Sequence, residues 1–225
     1  MPTPVQFKAP FYPQSYYHVI FRSVDGVMLF ITEENRGFFL QKFSLFLHPV
    51  CTCLAYCLLE NHVRFIVHIK SAPSLKNFLL SIAEEARTVS MKKFLTEPDR
   101  EEIIDEILER QANRLMVSYA NAYNKRFFRK GNLFQSPFRR VEIKEESHLQ
   151  QAIIYTHANA QKHGLIKDFK DYRYSSYWEI LNDNRANVQI NEALQFFGGK
   201  EQYIKIHQKQ VDHFYNKDWP NSKLE

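Results

Sequence analysis

The stretch CTCLAYCLLENHVRFIVHIK, residues 51–70, decides the fold. Cys51 to Leu59 is a nearly unbroken apolar run, Glu60-Asn61 breaks it with turn chemistry, and His62 to Lys70 resumes it. Short apolar runs bounded by turn residues read as two strands joined by a tight turn. The second strand alternates, with Val63, Phe65, Val67 and Ile69 on one side and His62, Arg64, Ile66, His68 and Lys70 on the other. One side builds core and the other presents chemistry. In the first strand Cys51, Cys53 and Cys57 are expected to share a face as small buried thiols. Cys57 stands ~13 Å from Cys53 on an extended chain, too far for one metal site.

Upstream, residues 1–14 carry four prolines and read as an irregular arm. Tyr16 to Val24 is rich in β-formers, Asp25-Gly26 is a turn signal, and a short strand is expected through Ile31. Thr32 to Leu47 reads as a helix with an N-cap threonine, ending near His48-Pro49. Downstream, Ser74 to Phe94 and Glu101 to Asn124 read as helices separated by Thr96-Glu97-Pro98-Asp99. Gly131-Asn132 breaks the chain and Phe138 to Lys144 alternates as a strand. Ser147 and Gln150 form a capping-box pattern for a helix that Gly164 stops. The aromatic run from Asp171 to Trp178 reads as a docking segment, and the chain beyond Asn182 as partly helical. This order predicts an α+β fold, a ferredoxin-like sandwich with a mainly antiparallel sheet. The expected domain spans 15–180, with an inserted helical segment at about 74–124 and a C-terminal extension over 181–225.

The 225 residues are 44% hydrophobic, which excludes wholesale disorder. No apolar run is long enough to cross a bilayer, and Met1-Pro-Thr-Pro does not open like a signal peptide. Three clustered cysteines cannot build a disulfide framework, so a cytoplasmic, reducing location without a membrane partner is expected. The formal net charge is +5, and its distribution carries more than its size. Glu97 to Glu109 holds seven acids and one base, whereas Lys125 to Lys144 holds seven bases and one acid. Lys125, Arg126, Arg129, Lys130, Arg139 and Arg140 therefore form the candidate DNA-binding set. Phe127, Phe128, Phe134 and Phe138, interleaved with them, are candidate stacking surfaces.

The helix that follows carries an apolar stripe of Leu149, Ala152, Ile153, Thr156 and Ala160. Tyr155 and Asn159, four residues apart, flank that stripe together. A tyrosine at such a rim is ordinarily a packing residue with its hydroxyl in water. The wider pattern resembles the HUH-type single-tyrosine transposases, especially the REP-associated tyrosine transposases. The matching segments are Tyr17-His18-Val19, Ala55 through Val67, Tyr123-Asn124-Lys125-Arg126, and Lys130-Gly131-Asn132-Leu133-Phe134-Gln135. Tyr155 through Leu165 and Tyr174-Ser175-Ser176-Tyr177 complete the order.

The resemblance implies cleavage and rejoining of single-stranded or hairpin DNA through a 5′-phosphotyrosine intermediate, by a homodimer using a divalent metal (Mg2+ or Mn2+). Residue by residue, it makes Tyr155 the nucleophile and His62 and Asn159 metal ligands. The sequence departs from the family at Arg64, which replaces the second histidine of the H-x-H motif. Arginine is always protonated and has no lone pair for a metal, but it can set its guanidinium against a scissile phosphate. Glu60 replaces a proline and Ala160 another. His18 and Glu60 remain open as substitute ligands. His68, ~20 Å along the strand from His62, does not, and His157 points to the opposite side of its helix. Two other readings stay open: a domesticated protein that binds DNA hairpins without cutting, and an RNA-binding protein using a ferredoxin-like sheet.

Overall fold

The computed structural model describes residues 7–97, 101–184 and 187–216. The alternating β-formers make four strands, β1 (Tyr16–Arg22), β2 (Cys51–Leu58), β3 (His62–Ile69) and β4 (Arg139–Ile143). They hydrogen-bond in the order β2-β3-β1-β4, and every neighbouring pair is antiparallel. α1 (Glu33–Phe46) links β1 to β2. α2 (Ala72–Ser81), α3 (Val89–Thr96) and α4 (Glu101–Arg126) link β3 to β4. The result is the expected α+β, ferredoxin-like sheet, in which the three-helix excursion stands where a single crossover helix would suffice.

One face of the sheet packs on α1 and α4. Phe43 stacks on Phe65 with centroids 4.2 Å apart, and Phe39 meets Tyr119 of α4 edge-on at 5.1 Å. The other face receives α5 (Glu146–Lys162), which lies over β2 and β3. Every residue of α5 from Ala152 to Ala160 is buried, so the single apolar stripe read from the sequence is too narrow. Its outer side is covered by α6 (Tyr177–Leu181) and α8 (Lys200–Asn216), with α7 (Ile190–Gln195) packed on β2.

A buried polar relay fastens α8. His207 Nδ1 donates to the Tyr203 carbonyl (2.8 Å), so its Nε2 accepts from His157 Nδ1 (2.9 Å). His157 Nε2 then accepts from Ser176 Oγ (2.8 Å), which itself accepts from the Tyr56 amide (2.9 Å). Each ring carries one proton and uses both nitrogens, which satisfies groups that burial would otherwise penalise. Burial pushes the His207 imidazole down to about 3 and holds His157 well below the usual range.

Several local expectations are corrected. Cys51 and Cys53 pair with Ile69 and Val67 on the α1 side, but Cys57 pairs with Arg64 on the α5 side. A bulge between Cys53 and Ala55 inverts the alternation, and all three thiols are free and buried. The helix expected over 74–94 is two, because the chain extends at Ile82 and Arg87 Nε donates to the carbonyls of Leu79 and Ile82 (3.0 and 2.9 Å). No strand forms after Gly26. Leu29 instead donates its amide to Glu60 and accepts from the Tyr119 hydroxyl at its carbonyl, which holds 27–31 as a core-packed loop. α5 begins at Glu146 with Glu145 as N-cap, one turn's edge before the expected Ser147 cap. The proline-rich arm is described from Phe7 onward, where Phe11 packs on Tyr17 at 4.8 Å; the expectation for 1–6 lies outside the described residues. The aromatic segment docks as expected on the edge of β2, Leu58 donating its amide to the Tyr174 carbonyl (3.0 Å).

Candidate functional site

Alternation along β3 places His62 and Arg64 on the face that α5 covers, and the four-residue spacing on α5 turns Tyr155 and Asn159 toward them. His62 Nε2 lies 3.3 Å from Asn159 Oδ1, and its Nδ1 lies 2.8 Å from Asn61 Oδ1. The Arg64 guanidinium carbon sits 5.1 Å from the centre of the Tyr155 ring. Lys162, seven residues after Tyr155 and therefore above it on the helix, donates from Nζ to the Tyr155 hydroxyl at 3.1 Å. The sequence-derived quartet thus meets in one place. Lys162 was not singled out from the sequence, although its spacing of two helical turns is the signal that could have found it.

The site is dry on one side and open on the other. Tyr155 is 3% exposed, Arg64 4% and Asn159 0%. His62 borders a cleft of ≈ 240 Å³ lined also by Arg22, Gly26, Met28, Glu60 and His163. The His163 ring meets His62 edge-on at 5.4 Å. Desolvation, with the Arg64 and His163 charges behind it, pushes His62 down to about 3, against the opposing Asn159 hydrogen bond. His62 is therefore a neutral imidazole at pH 7. Arg22 stands opposite His62 across the β1–β3 pair, so the cleft carries one fixed charge of each sign, Arg22 and Glu60.

Whether these residues suit a divalent ion can be judged from their chemistry. His62 Nε2 and Asn159 Oδ1 converge, and the Asn159 amide nitrogen is buried without a hydrogen-bond partner. These are two neutral donors. The neighbouring position on the strand holds a buried guanidinium, which repels a dication and offers it no lone pair. His18 is buried on β1, two residues from the partner of Arg64, and burial followed by the Arg64 charge holds it well below its usual range. Among the described residues no three His, Cys, Asp or Glu side chains gather as a metal-holding group. The set present does not fit a resident dication. His68 is elsewhere, paired with Glu192 (2.6 Å) and stacked on Tyr16, and His157 faces the α8 relay.

The basic set divides. Lys125, Arg126 and Lys130 are exposed at the end of α4. Arg129 is half-buried and pins its own turn through the Asn132 carbonyl (2.7 Å). Arg139 and Arg140 point to opposite faces of β4. Arg139 shares the α5 side, opposite Ile20, and lies over the Phe7 ring at 5.3 Å. Arg140 is buried on the α4 side, where Asp105 (3.0 Å) and Glu109 (3.3 Å) neutralise it and Ala9 accepts its Nε at 2.7 Å. It ties β4 to α4 and the N-terminal arm and adds nothing to an exposed basic face. Phe134 and Phe138 are likewise core residues, so of the four expected stacking rings Phe128 alone stands fully in solvent.

Among the described residues no helix is long and apolar enough to cross a membrane. No protein-family model matches the chain, and no curated protein does. A solved structure described as a REP-associated tyrosine transposase bound to a REP hairpin is similar over 84% of this chain and 90% of its own, at 13% identity and a TM-score of 0.50. At that identity the likeness is one of fold, and it agrees with the family that the ordered motifs resemble.

Proposed function

We propose that this chain is a transposase-like DNA-binding protein that engages single-stranded or hairpin DNA, with Tyr155 as the nucleophile toward a strand phosphate. The observation that carries this reading is the meeting of Tyr155, Arg64, His62, Asn159 and Lys162, with His62 lining an open cleft next to them. Attack by the Tyr155 oxygen forms a bond to phosphorus and breaks the bond to the 3′ oxygen. The products are a 5′-phosphotyrosyl end and a 3′-hydroxyl; the phenol proton leaves to solvent and the 3′ oxygen takes one up. The Lys162 ammonium, already donating to the phenol oxygen, stabilises the phenolate, and Arg64 supplies positive charge to the phosphate. An arginine polarises phosphorus less than a dication does, so cleavage is slow.

A second reading, a hairpin binder that does not cut, is favoured by the burial of Tyr155 and by the lack, among the described residues, of a group of three His, Cys, Asp or Glu that could hold a metal. One experiment separates the two. The protein is incubated with hairpin-bearing single strands, with and without Mn2+ or Mg2+, and scored for binding and for a covalent adduct. The proposed reading expects binding that weakens steeply with salt through counterion release, and a slow adduct lost in Tyr155→Phe with binding retained. Binding without any adduct selects the second reading, and no binding removes both.

A further inference from the structure

α4 runs out in Lys125-Arg126-Phe127-Phe128-Arg129-Lys130. Helices usually end on glycine where φ turns positive, yet here Phe128 takes a φ of 52°. That left-handed conformation is unfavourable for any residue with a side chain. Its ring is nonetheless 96% exposed, so no packing in the chain repays the strain. The turn beneath it is rigid. The Arg129 amide donates to the Asn124 carbonyl (3.0 Å), the Arg129 guanidinium to Gly131 and Asn132 carbonyls (3.2 and 2.7 Å), and Asn124 Nδ2 to Gly131 (2.9 Å). The ring is therefore held out on a hydrogen-bonded turn, and the exposed cations Lys125, Arg126 and Lys130 stand within three residues of it in the chain, Arg126 lying 3.9 Å from Glu34.

Asn124 and Gly131 of that same turn also line a groove of ≈ 350 Å³ between α4 and residues 131–136, with no charged side chain in its lining. Five amides border it, of which Asn113, Asn121, Asn132 and Gln135 are exposed and Asn124 is half-buried. Uncharged amides offer a donor and an acceptor together, the pattern that base edges match. The segment that lines the groove is hydrogen-bonded to the one that lines the cleft at His62. Gln135 donates its amide to the Arg22 carbonyl (2.8 Å) and Val24 to the Leu133 carbonyl (3.0 Å), and Arg22 lines that cleft.

We infer that Phe128 and this amide-lined groove form a second subsite, for an unpaired stretch of DNA. One base stacks on the Phe128 ring, Lys125, Arg126 and Lys130 hold the adjoining phosphates, and the amides bond the edge of a neighbouring base. Aromatic rings set in a basic surface bind single strands in this way. The inference rests on the DNA-binding reading above, and its test fails separately from it.

The test measures fluorescence anisotropy of the full chain with a labelled hairpin carrying a single-stranded flank and with the same hairpin lacking the flank. Variants are Phe128→Ala, Phe128→Trp and Phe128→Gly. Phe128→Ala is expected to weaken the flanked hairpin about tenfold, the equivalent of about 1.4 kcal/mol, and to leave the blunt hairpin unchanged. Phe128→Trp keeps the affinity, and its emission is quenched by the flank. Phe128→Gly relieves the left-handed backbone, so it raises the melting temperature while losing the same affinity. A merely structural role predicts that stability and affinity fall together. Natural-level binding of the flanked hairpin by Phe128→Ala overturns the subsite while leaving the DNA-binding reading intact. Failure of the natural protein to bind either hairpin overturns both. Tighter binding of the matching RNA strand overturns the assignment to DNA.

Discussion

Acid is expected to undo the joint between α8 and α5, by an amount that can be worked from His157 and His207. Both rings are neutral and use both nitrogens, one donating and one accepting. A second proton on His207 turns its Nε2 from an acceptor into a donor that faces the His157 Nδ1 proton, and a second proton on His157 puts an uncompensated charge in the same buried site. Burial lowers both from the usual 6.5, His207 to about 3. A histidine lowered in the folded state contributes its full stability above the unfolded pKa and loses it as pH falls toward the folded one. For His207 that loss between pH 7 and pH 5 is about 2 kcal/mol, and His157 adds to it in the same direction. Folded domains possess about 5–15 kcal/mol in total. The assay is urea unfolding followed by tryptophan fluorescence at pH 7 and pH 5, for the natural chain and for His207→Phe. The phenylalanine cannot take the proton, so the variant starts less stable at pH 7 and loses about 2 kcal/mol less on going to pH 5. His18 and His62 are lowered too, and the Asp105 and Glu179 carboxyls are raised and act the other way. They titrate alike in both proteins and cancel in the difference. Equal acid losses in the two proteins would refute the neutral-relay argument.

Arg140→Ala leaves Asp105 and Glu109 without their partner; a loss of about 1–3 kcal/mol is expected by urea titration, discounted for the partial exposure of both carboxylates. DNA affinity should not change, and a large drop at unaltered stability would return Arg140 to the DNA-binding set. Arg64→His removes the buried cation and puts an imidazole beside His62 and Asn159. Manganese affinity measured by calorimetry and the yield of Mn2+-dependent adduct should both rise, and an adduct unaffected by the change would show that Arg64 is not what limits the centre.

The sheet was legible because alternation on β3 is strict, with His62, Arg64 and Ile66 separated from Val63, Phe65 and Val67 by nothing but parity. Parity on β3 and the four-residue repeat on α5 fixed the faces of the quartet, whereas its members stood out only through the resemblance to the transposase family. What stayed hidden depends on long-range context. The bulge after Cys53 inserts one residue without any glycine or proline to announce it. Arg140 differs from Arg139 by one position, yet only the sheet's packing shows which of them meets Asp105 and Glu109. Phe134 and Phe138 look like exposed aromatics in a basic run until the core on the far side of the sheet claims them. The C-terminal extension looked chemically empty because His207 gains meaning only from His157, fifty residues away.

The continuous burial of α5 has a mechanical consequence. A helix with one wetted side can roll or slide by small steps, but nine consecutive buried residues leave α5 no free direction. The angular positions of Tyr155 and Asn159 are therefore set jointly by the sheet beneath and by α8 above, which grips the same helix at His157, only two residues from Tyr155. Any reorientation of the tyrosine must take place about its own side-chain torsions, against Arg64 and Lys162, or must wait for α8 to let go. The terminal helix is thus a clamp on the phase of Tyr155, and loosening it should disperse that side chain among rotamers long before the sheet itself gives way.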